Sequence, residues 1–114
     1  MRPEERDAAL LWDMLDAAIS VRSFCEGRTY RDFTSDKMLR RAVEREIQII
    51  GEAASKVSRP LEACIPGIPW KKIISQRHVL VHEYGEIKDE LVWQLATIHV
   101  PDLELALRRH TEGK

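Results

Sequence analysis

The stretch SDKMLRRAVEREIQIIGEAASKVSR, residues 35–59, decides the fold because it carries the most regular apolar pattern in the chain. Its apolar side chains recur every three or four residues, which is the repeat of one face of an α-helix. Ser35 or Thr34 can cap the start of this helix, and Pro60 opposes its continuation. Its predicted buried stripe consists of Leu39, Val43, Glu46, Ile47, Ile50, Ala53, Ala54 and Val57.

Gly51 lies inside this helix, where glycine costs about 1 kcal/mol relative to alanine. A glycine is tolerated at such a position when a neighbouring helix comes close to the backbone. We therefore expect a second helix to cross the long helix at Gly51.

Helical periodicity extends over most of the chain on both sides of this helix. It predicts a first helix over residues 3–26, a third from Trp70 to Tyr84 that ends at Gly85, and a fourth that begins near Ile87. The intervening segments, 27–35 and 60–69, are expected to be connections, with Tyr30 and Phe33 packed beneath the helices. Nothing predicts a strand.

The expected fold is therefore all-α, an antiparallel bundle of four main helices in a single domain that spans residues 1–114. Pro101 should kink or split the last helix, because proline lacks the backbone N–H and its ring clashes with the preceding turn.

Composition narrows the possible classes of protein. Of 114 residues, 44% are hydrophobic and 32% are charged, which is typical of a folded domain and excludes a disordered chain. No apolar run approaches the roughly 20 residues of a membrane span, and the acidic start MRPEERDAA is unlike a signal peptide, so we expect a cytoplasmic protein. Cys25 and Cys64 are expected to be reduced and partly buried. The net charge of -1 means that any nucleic-acid affinity must come from a local patch.

The stretch RHVLVHEY, residues 77–84, is where the chemistry is expected. Arg77 offers a fork of donors for a phosphate, His82 can move a proton near neutral pH, and Tyr84 can donate a hydrogen bond. These groups suit RNA cleavage in which the 2'-hydroxyl attacks its own phosphorus. One histidine is half of an acid and base pair, so a two-fold dimer that joins two copies of this helix is expected.

Two other interpretations of this stretch remain open. His78 and His82 have the i, i+4 spacing at which two imidazoles can share a metal ion, although no further ligand accompanies them. Alternatively the residues are structural: Arg77 pairs with Glu46 of the long helix, His82 is a hydrogen-bonded core histidine, and Tyr84 lies at the edge of the bundle. An Arg and a Tyr on a largely apolar helix favour a cleft or a subunit interface.

At these residues the sequence resembles the HEPN superfamily, and within it the HepT toxins of HepT/MntA toxin–antitoxin systems. The ribonuclease signature of that superfamily is an Arg, a polar residue, a short spacer and a His, which correspond to Arg77, His78, residues 79–81 and His82. Tyr84 follows as in HepT. The segments 45–58, 68–70 and 87–93 are also similar, so the resemblance covers residues 42–103.

The resemblance implies a homodimeric, metal-independent endoribonuclease that cleaves tRNA or mRNA as the toxin of a type VII-like system, with no cofactor of its own. Arg77 and His82 would be catalytic, with His78 in a supporting position. Tyr84 would be the tyrosine that the MntA nucleotidyltransferase antitoxin adenylylates from ATP. Each AMP adds bulk and negative charge at the mouth of a cleft meant for an RNA phosphate. The alternative is a non-catalytic helical module that binds such a nucleotidyltransferase.

Basic and tryptophan residues elsewhere receive a structural interpretation. Lys37, Arg40, Arg41, Arg45, Lys71, Lys72, Arg108 and Arg109 are expected to lie mostly on solvated faces or to pair with acids such as Glu44 and Glu104. Glu46 is expected to hold Arg77 in place. Trp12, Trp70 and Trp93 are expected to be core or interface rings.

Overall fold

The computed structural model describes residues 2–82 and 85–112, without the side chains of residues 78, 79, 81 and 82. No strand occurs in those ranges, so the all-α prediction is confirmed. The elements are α1 (Pro3–Cys25), α2 (Tyr30–Ser35), α3 (Lys37–Lys56), α4 (Arg59–Cys64), α5 (Trp70–His82), α6 (Gly85–Gln94), a π-helical turn (Leu95–His99) and α7 (Val100–Glu112). Within the described part, none of the helices is long and apolar enough to cross a membrane.

Helix α3 lies at the centre of the packing and contacts α1 on one side and α5 on the other. Its predicted stripe is buried from Leu39 to Val57, with the exception of Glu46, which is half-buried. The α1 helix in turn packs against α7. Residues of α5 and α7 line one cleft together with Ile47 and Ile50 of α3.

The buried face of α1 does not include Trp12, which was expected to be a core or interface ring. Met14 and Ala17 are buried, whereas Ala8 is exposed and Trp12 is 61% exposed. A single sequence could not decide this, because α1 carries apolar residues on several sides and the position of α3 selects among them.

The segment 27–35, predicted to be a connection, contains the short helix α2. The Thr29 hydroxyl accepts a hydrogen bond from the Asp32 N–H at 3.1 Å, and the Asp32 carboxylate accepts one from the Thr29 N–H at 2.9 Å. This reciprocal capping box satisfies two N–H groups of the first turn, which stabilises so short a helix. Phe33 is buried, and its ring centroid lies 5.3 Å from that of Trp93 on α6, as expected for a residue beneath the bundle.

The segment 60–69 contains a second short helix, α4, which the sequence analysis also missed. Pro60 lies in its first turn, where no N–H is needed, so the proline begins a helix as well as ending one. Ser58 caps α4, and its backbone N–H donates to the Asp7 carboxylate at 3.0 Å. The cap therefore also ties this connection to α1.

Helix boundaries differ from prediction in the second half of the chain. The predicted end of the third helix at Tyr84 lies outside the described residues. Gly85, predicted to end that helix, is the first residue of α6 and has a φ of 63°, a left-handed value that favours glycine.

The irregularity predicted near Pro101 is the π-helical turn that precedes it. Its last hydrogen bond runs from the Val100 N–H to the Leu95 carbonyl, one residue farther than in an α-helix. The wider turn lies where an α-helix would bring the proline ring against a carbonyl. The fold thus carries one extra residue in the wall of the cleft.

The two cysteines are free, as predicted, but only Cys25 is partly buried, and Cys64 is exposed. Burial raises the pKa of the Cys25 thiol, and the nearby Arg28 opposes this effect.

Glu104 fastens α7 to α1 from a buried position. Its two carboxylate oxygens accept hydrogen bonds from the Nε atoms of Arg22 at 2.7 Å and Arg108 at 2.8 Å. Burial raises the pKa of Glu104, but the hydrogen bonds from the two arginines and their charges outweigh it, and the pKa lies below its usual value. The ionised carboxylate is therefore the form that stabilises the fold.

Replacing Glu104 by glutamine should lower the melting temperature at pH 7 by about 4–8 °C, because the buried charge between two arginines is lost. A carboxyl whose pKa is lowered on folding stabilises the protein above its unfolded pKa, and this contribution disappears as the pH falls through the folded pKa. The difference between wild type and variant should therefore narrow below pH 4.5 in thermal melts followed by circular dichroism. Glu112→Gln is the control, since that carboxylate is exposed. A constant difference from pH 7 to pH 3 would contradict the assignment.

Candidate functional site

Arg77 lies on α5, and the start of α5 is firmly anchored. The indole N–H of Trp70, the first residue of α5, donates to the Ile65 carbonyl at 3.1 Å in a buried environment. Trp70 is thus a core ring, as predicted. Two turns farther along the helix, Arg77 is exposed at the cleft between α5 and α7.

Gly51 of α3 sets the position of the Arg77 side chain. A Cβ atom added at Gly51 would lie 2.8 Å from Cγ of Arg77, 3.2 Å from its Cδ and 3.7 Å from the Ile73 carbonyl oxygen. The aliphatic stem of Arg77 therefore lies directly over the glycine, and α5 passes close to the α3 backbone. The expectation of a close helix crossing at Gly51 is confirmed, and the residue that fills the space is the predicted catalytic arginine.

The cleft has a volume of about 290 Å³ and is mainly apolar. Its charged lining residues are Lys72 and Arg77 from α5 and Asp102 from α7, and His99 and Gln76 add polar groups. Low-polarity walls strengthen the attraction between a guanidinium and a phosphate, because less water screens them. The apolar lining consists of Ile47, Ile50, Gly67, Ile68, Pro69, Ile73, Leu80, Leu95, Val100, Leu103 and Ala106.

Glu46 lies on another side of α3 from this cleft. It is five residues before Gly51, which separates the two positions by about 140° around the helix axis. Burial raises the pKa of Glu46, the nearby Asp16 of α1 raises it further, and Arg45 opposes both. In the part of the chain that the structure describes, Glu46 forms no ion pair with Arg77. A supporting role for Glu46 stays a prediction.

The other predicted site residues fall at the edge of the described structure. The backbone of His78 and His82 belongs to α5, so these residues, which are four positions apart in the sequence, lie about one helical turn apart. Their side chains lie outside the described atoms. Tyr84 lies outside the described residues altogether. Among the residues that are described, no group of three or more His, Cys, Asp or Glu side chains could hold a metal ion.

Three of the eight basic residues that the sequence analysis considered, Arg40, Arg45 and Arg108, form ion pairs among the described residues. Arg108 pairs with Glu104, as predicted, whereas Glu44 pairs with Lys88 at 2.6 Å. Further ion pairs join Arg40 to Asp89 and Arg45 to Glu52. Within residues 2–82 and 85–112, by contrast, Lys72 and Arg77 have no ion-pair partner. Lys71 of α5 also has no ion-pair partner in those ranges, but it borders a different depression.

His99 is a residue of the cleft that sequence analysis assigned no role. It is exposed, belongs to the π-helical turn and lines the same cleft as Arg77. Pro101 was a signal that the helix would be irregular here. A π-helical turn contains about one residue more than an α-helical turn, so its position along the helix decides which side His99 faces. The sequence does not show that position.

Comparison with known proteins agrees with the resemblance noted in the sequence. Residues 14–110 match the HepT-like family, described as Ribonuclease HepT-like. A candidate RNase of Methanocaldococcus jannaschii is 34% identical over 96 residues, which cover 84% of this chain and 88% of the relative. A protein of Thermococcus cleftensis named probable ribonuclease HepT is 29% identical over 94 residues, covering 82% and 86% of the two chains. No solved structure matches the chain.

The chain therefore belongs to the HepT-like ribonuclease family, which matches most of its length. This membership makes the protein an endoribonuclease. It favours the enzyme over the alternative of a catalytically silent helical module.

Gly51→Ala should lower RNA cleavage at least tenfold and leave the melting temperature almost unchanged. The added methyl group would displace the stem of Arg77, and small displacements of a positioning group reduce catalysis strongly. Alanine also gains about 1 kcal/mol of helix propensity over glycine, which offsets the cost of moving the side chain.

Gly67→Ala is the matched control, because a Cβ at Gly67 meets nothing within 4 Å although that residue also lines the cleft. Initial rates of RNA cleavage and thermal melts would be compared for the two variants. Full activity of Gly51→Ala would show that the position of Arg77 over α3 does not matter for catalysis.

Proposed function

We propose that this endoribonuclease is the toxin of a type VII-like toxin–antitoxin system and cleaves tRNA or mRNA without a metal ion. The observation that carries the proposal is Arg77, which lies without an ion-pair partner among the described residues at a largely apolar cleft. Arg77 is also the first residue of the motif formed by Arg77, His82 and Tyr84, which lies within the residues that match the family. An arginine at such a site is a suitable ligand for an RNA phosphate.

Arg77 orients the scissile phosphate and neutralises the charge that builds on its oxygens. His82 exchanges the proton that must leave the attacking 2'-hydroxyl, with His78 in a supporting position. Because the nucleophile belongs to the RNA, cleavage can proceed by positioning and proton transfer alone. The expected products are a 2',3'-cyclic phosphate and a free 5'-hydroxyl.

A homodimer is part of this proposal. Large apolar side chains are exposed along the C-terminal half of the chain at Ile87, Ile98 and Leu105, with exposed fractions of 60%, 56% and 53%. Ile98 and Leu105 are seven residues apart, close to two helical turns, so they share one side of the helix. Such a stripe on a chain of 13.2 kDa is suited to burial against a second copy. Pairing through this half of the chain would place two RNA-cleaving motifs in one assembly.

Control through Tyr84 completes the proposal. An MntA-type nucleotidyltransferase antitoxin would transfer AMP from ATP to the Tyr84 phenol. The added phosphate would repel the RNA backbone from Arg77, and the nucleoside would occupy space near the cleft. Neutralisation would thus act on substrate entry and leave the helical fold intact.

His82→Ala should reduce cleavage of tRNA or mRNA by at least a hundredfold, because the proton-transfer group is lost. Purified wild-type and variant chains would be compared by gel electrophoresis of labelled RNA, with and without a chelator. Wild-type cleavage should be insensitive to the chelator. Equal cleavage by the variant, or its abolition by chelation, would contradict this mechanism.

Assembly and folding are checked in parallel in that experiment. Both proteins should sediment with about twice the 13.2 kDa mass of the chain and melt at similar temperatures. Loss of cleavage would then reflect lost chemistry, since the dimer and the fold would both be retained.

Adenylylation is tested separately by incubating the chain with an MntA-type nucleotidyltransferase and ATP. Mass spectrometry of the wild type should show added AMP, accompanied by loss of RNA cleavage. Tyr84→Phe should gain no AMP and should keep its cleavage activity in the presence of the antitoxin. Tyr30→Phe is the control, since Tyr30 is half-buried and its ring packs against Trp93. Undiminished AMP addition to Tyr84→Phe would refute the assignment.

A further inference from the structure

The π-helical turn gives the wall of the cleft an unusual local geometry. Most helical residues repeat at 3.6 per turn, and isolated π turns are uncommon and occur frequently at functional sites. Here Leu95, Ala96 and Val100 remain buried while His99, between them, is exposed. The turn therefore exposes an imidazole at the cleft while Leu95 and Ala96 stay in the core.

His99 and Arg77 line the cleft from two different elements, the π-helical turn and α5. His99 also borders an adjoining depression, which it shares with Lys72 and Gln76. The charged groups that line the cleft around it are Lys72, Arg77 and Asp102. In the described part of the chain the His99 side chain has no hydrogen-bond or ion-pair partner. Its position at the cleft is therefore not the result of pairing with Lys72, Arg77 or Asp102.

RNA cleavage by the 2'-hydroxyl requires two proton transfers, and Arg77 and Lys72 suit neither of them. Both cations can hold a phosphate, but the guanidinium does not deprotonate in proteins and an exposed ammonium does so only well above neutral pH. An imidazole is the side chain that gives and takes protons near neutrality. A second imidazole at the phosphate site therefore has a distinct chemical use.

We propose that His99 is a second catalytic residue of this ribonuclease and donates a proton to the departing 5'-oxygen. This inference rests on the proposed function and extends it, because it assigns the proton donor for the leaving oxygen to a residue that shares the cleft with Arg77. The bond between the 2'-oxygen and phosphorus forms while the bond from phosphorus to the 5'-oxygen breaks. His82 takes the 2'-hydroxyl proton, and His99 protonates the leaving oxygen. Exchange with water restores both imidazoles.

The test uses His99→Gln and two substrates that differ only in the leaving group. With ordinary RNA the variant should lose about a hundredfold in kcat with little change in KM, because the acid acts mainly in the transition state. A uridine 3'-phosphodiester with a p-nitrophenol leaving group needs no protonation. Its cleavage should proceed at nearly the wild-type rate. A residue that only stabilises the fold would affect both substrates alike.

The pH profile supplies a second readout. A general acid must be protonated, so its deprotonation causes the fall of the wild-type rate at high pH. His99→Gln should abolish that fall for RNA and leave the low-pH limb, which His82 controls. Increased KM with an unchanged profile would mean that His99 only binds phosphate, and would overturn the proposal.

His110→Gln is the matched control, because it makes the same change on α7 but borders a different cleft, beside α1. It should retain RNA cleavage, and all variants should give wild-type helical circular dichroism. If His82→Ala is inactive while His99→Gln cleaves RNA normally, the role of His99 is refuted and the proposed ribonuclease mechanism stands. If the wild type cleaves no RNA, both fail.

Discussion

The close crossing of α5 over α3 at Gly51 is the constraint on which the site depends. Only a residue without a Cβ leaves room for the stem of Arg77, whose Cγ would lie 2.8 Å from an added methyl group. The same contact therefore performs two tasks: it packs α5 on the central helix and fixes the stem of the arginine that we propose to be catalytic. Because the stem is held against a rigid helix, the charged end is presented to the cleft with less freedom than a surface arginine has.

Ionic contacts elsewhere hold the walls of this cleft in place. Glu104 accepts hydrogen bonds from Arg22 and Arg108 and so joins α7 to α1, while Lys88 and Glu44 join α6 to α3. Arg22, Arg108 and Lys88 are thus neutralised by acids of the fold, although their charge alone would suggest that they bind RNA. Lys71, Lys72 and Arg77 of α5 have no ion-pair partner among the described residues, and Lys72 and Arg77 line the cleft of a chain whose net charge is -1.

The parts of the fold that could be predicted are those decided by local regularity. The α3 stripe is long and strictly periodic, and it was placed correctly except for Glu46, which is half-buried near Asp16 of α1. The helices α2 and α4 were missed because each is only six residues long. Their signals, a Thr and an Asp three residues apart and a Ser two residues before a Pro, are short and recur outside helices. The side of α1 that is buried was decided by its partner helices, which leave Trp12 exposed.

The sequence by itself determined an all-helical chain, the crossing at Gly51 and the chemical groups of residues 77–84, because helical spacing and side-chain chemistry are local properties. Only the tertiary structure decided that the stem of Arg77 fills the space at Gly51, that Glu46 lies beside Asp16, and that His99 borders the same cleft as Arg77. These relations join residues from 22 to 30 positions apart along the chain. They depend on how the helices pack against each other and on the wider turn of the π helix. The local sequence pattern of one helix contains neither kind of information.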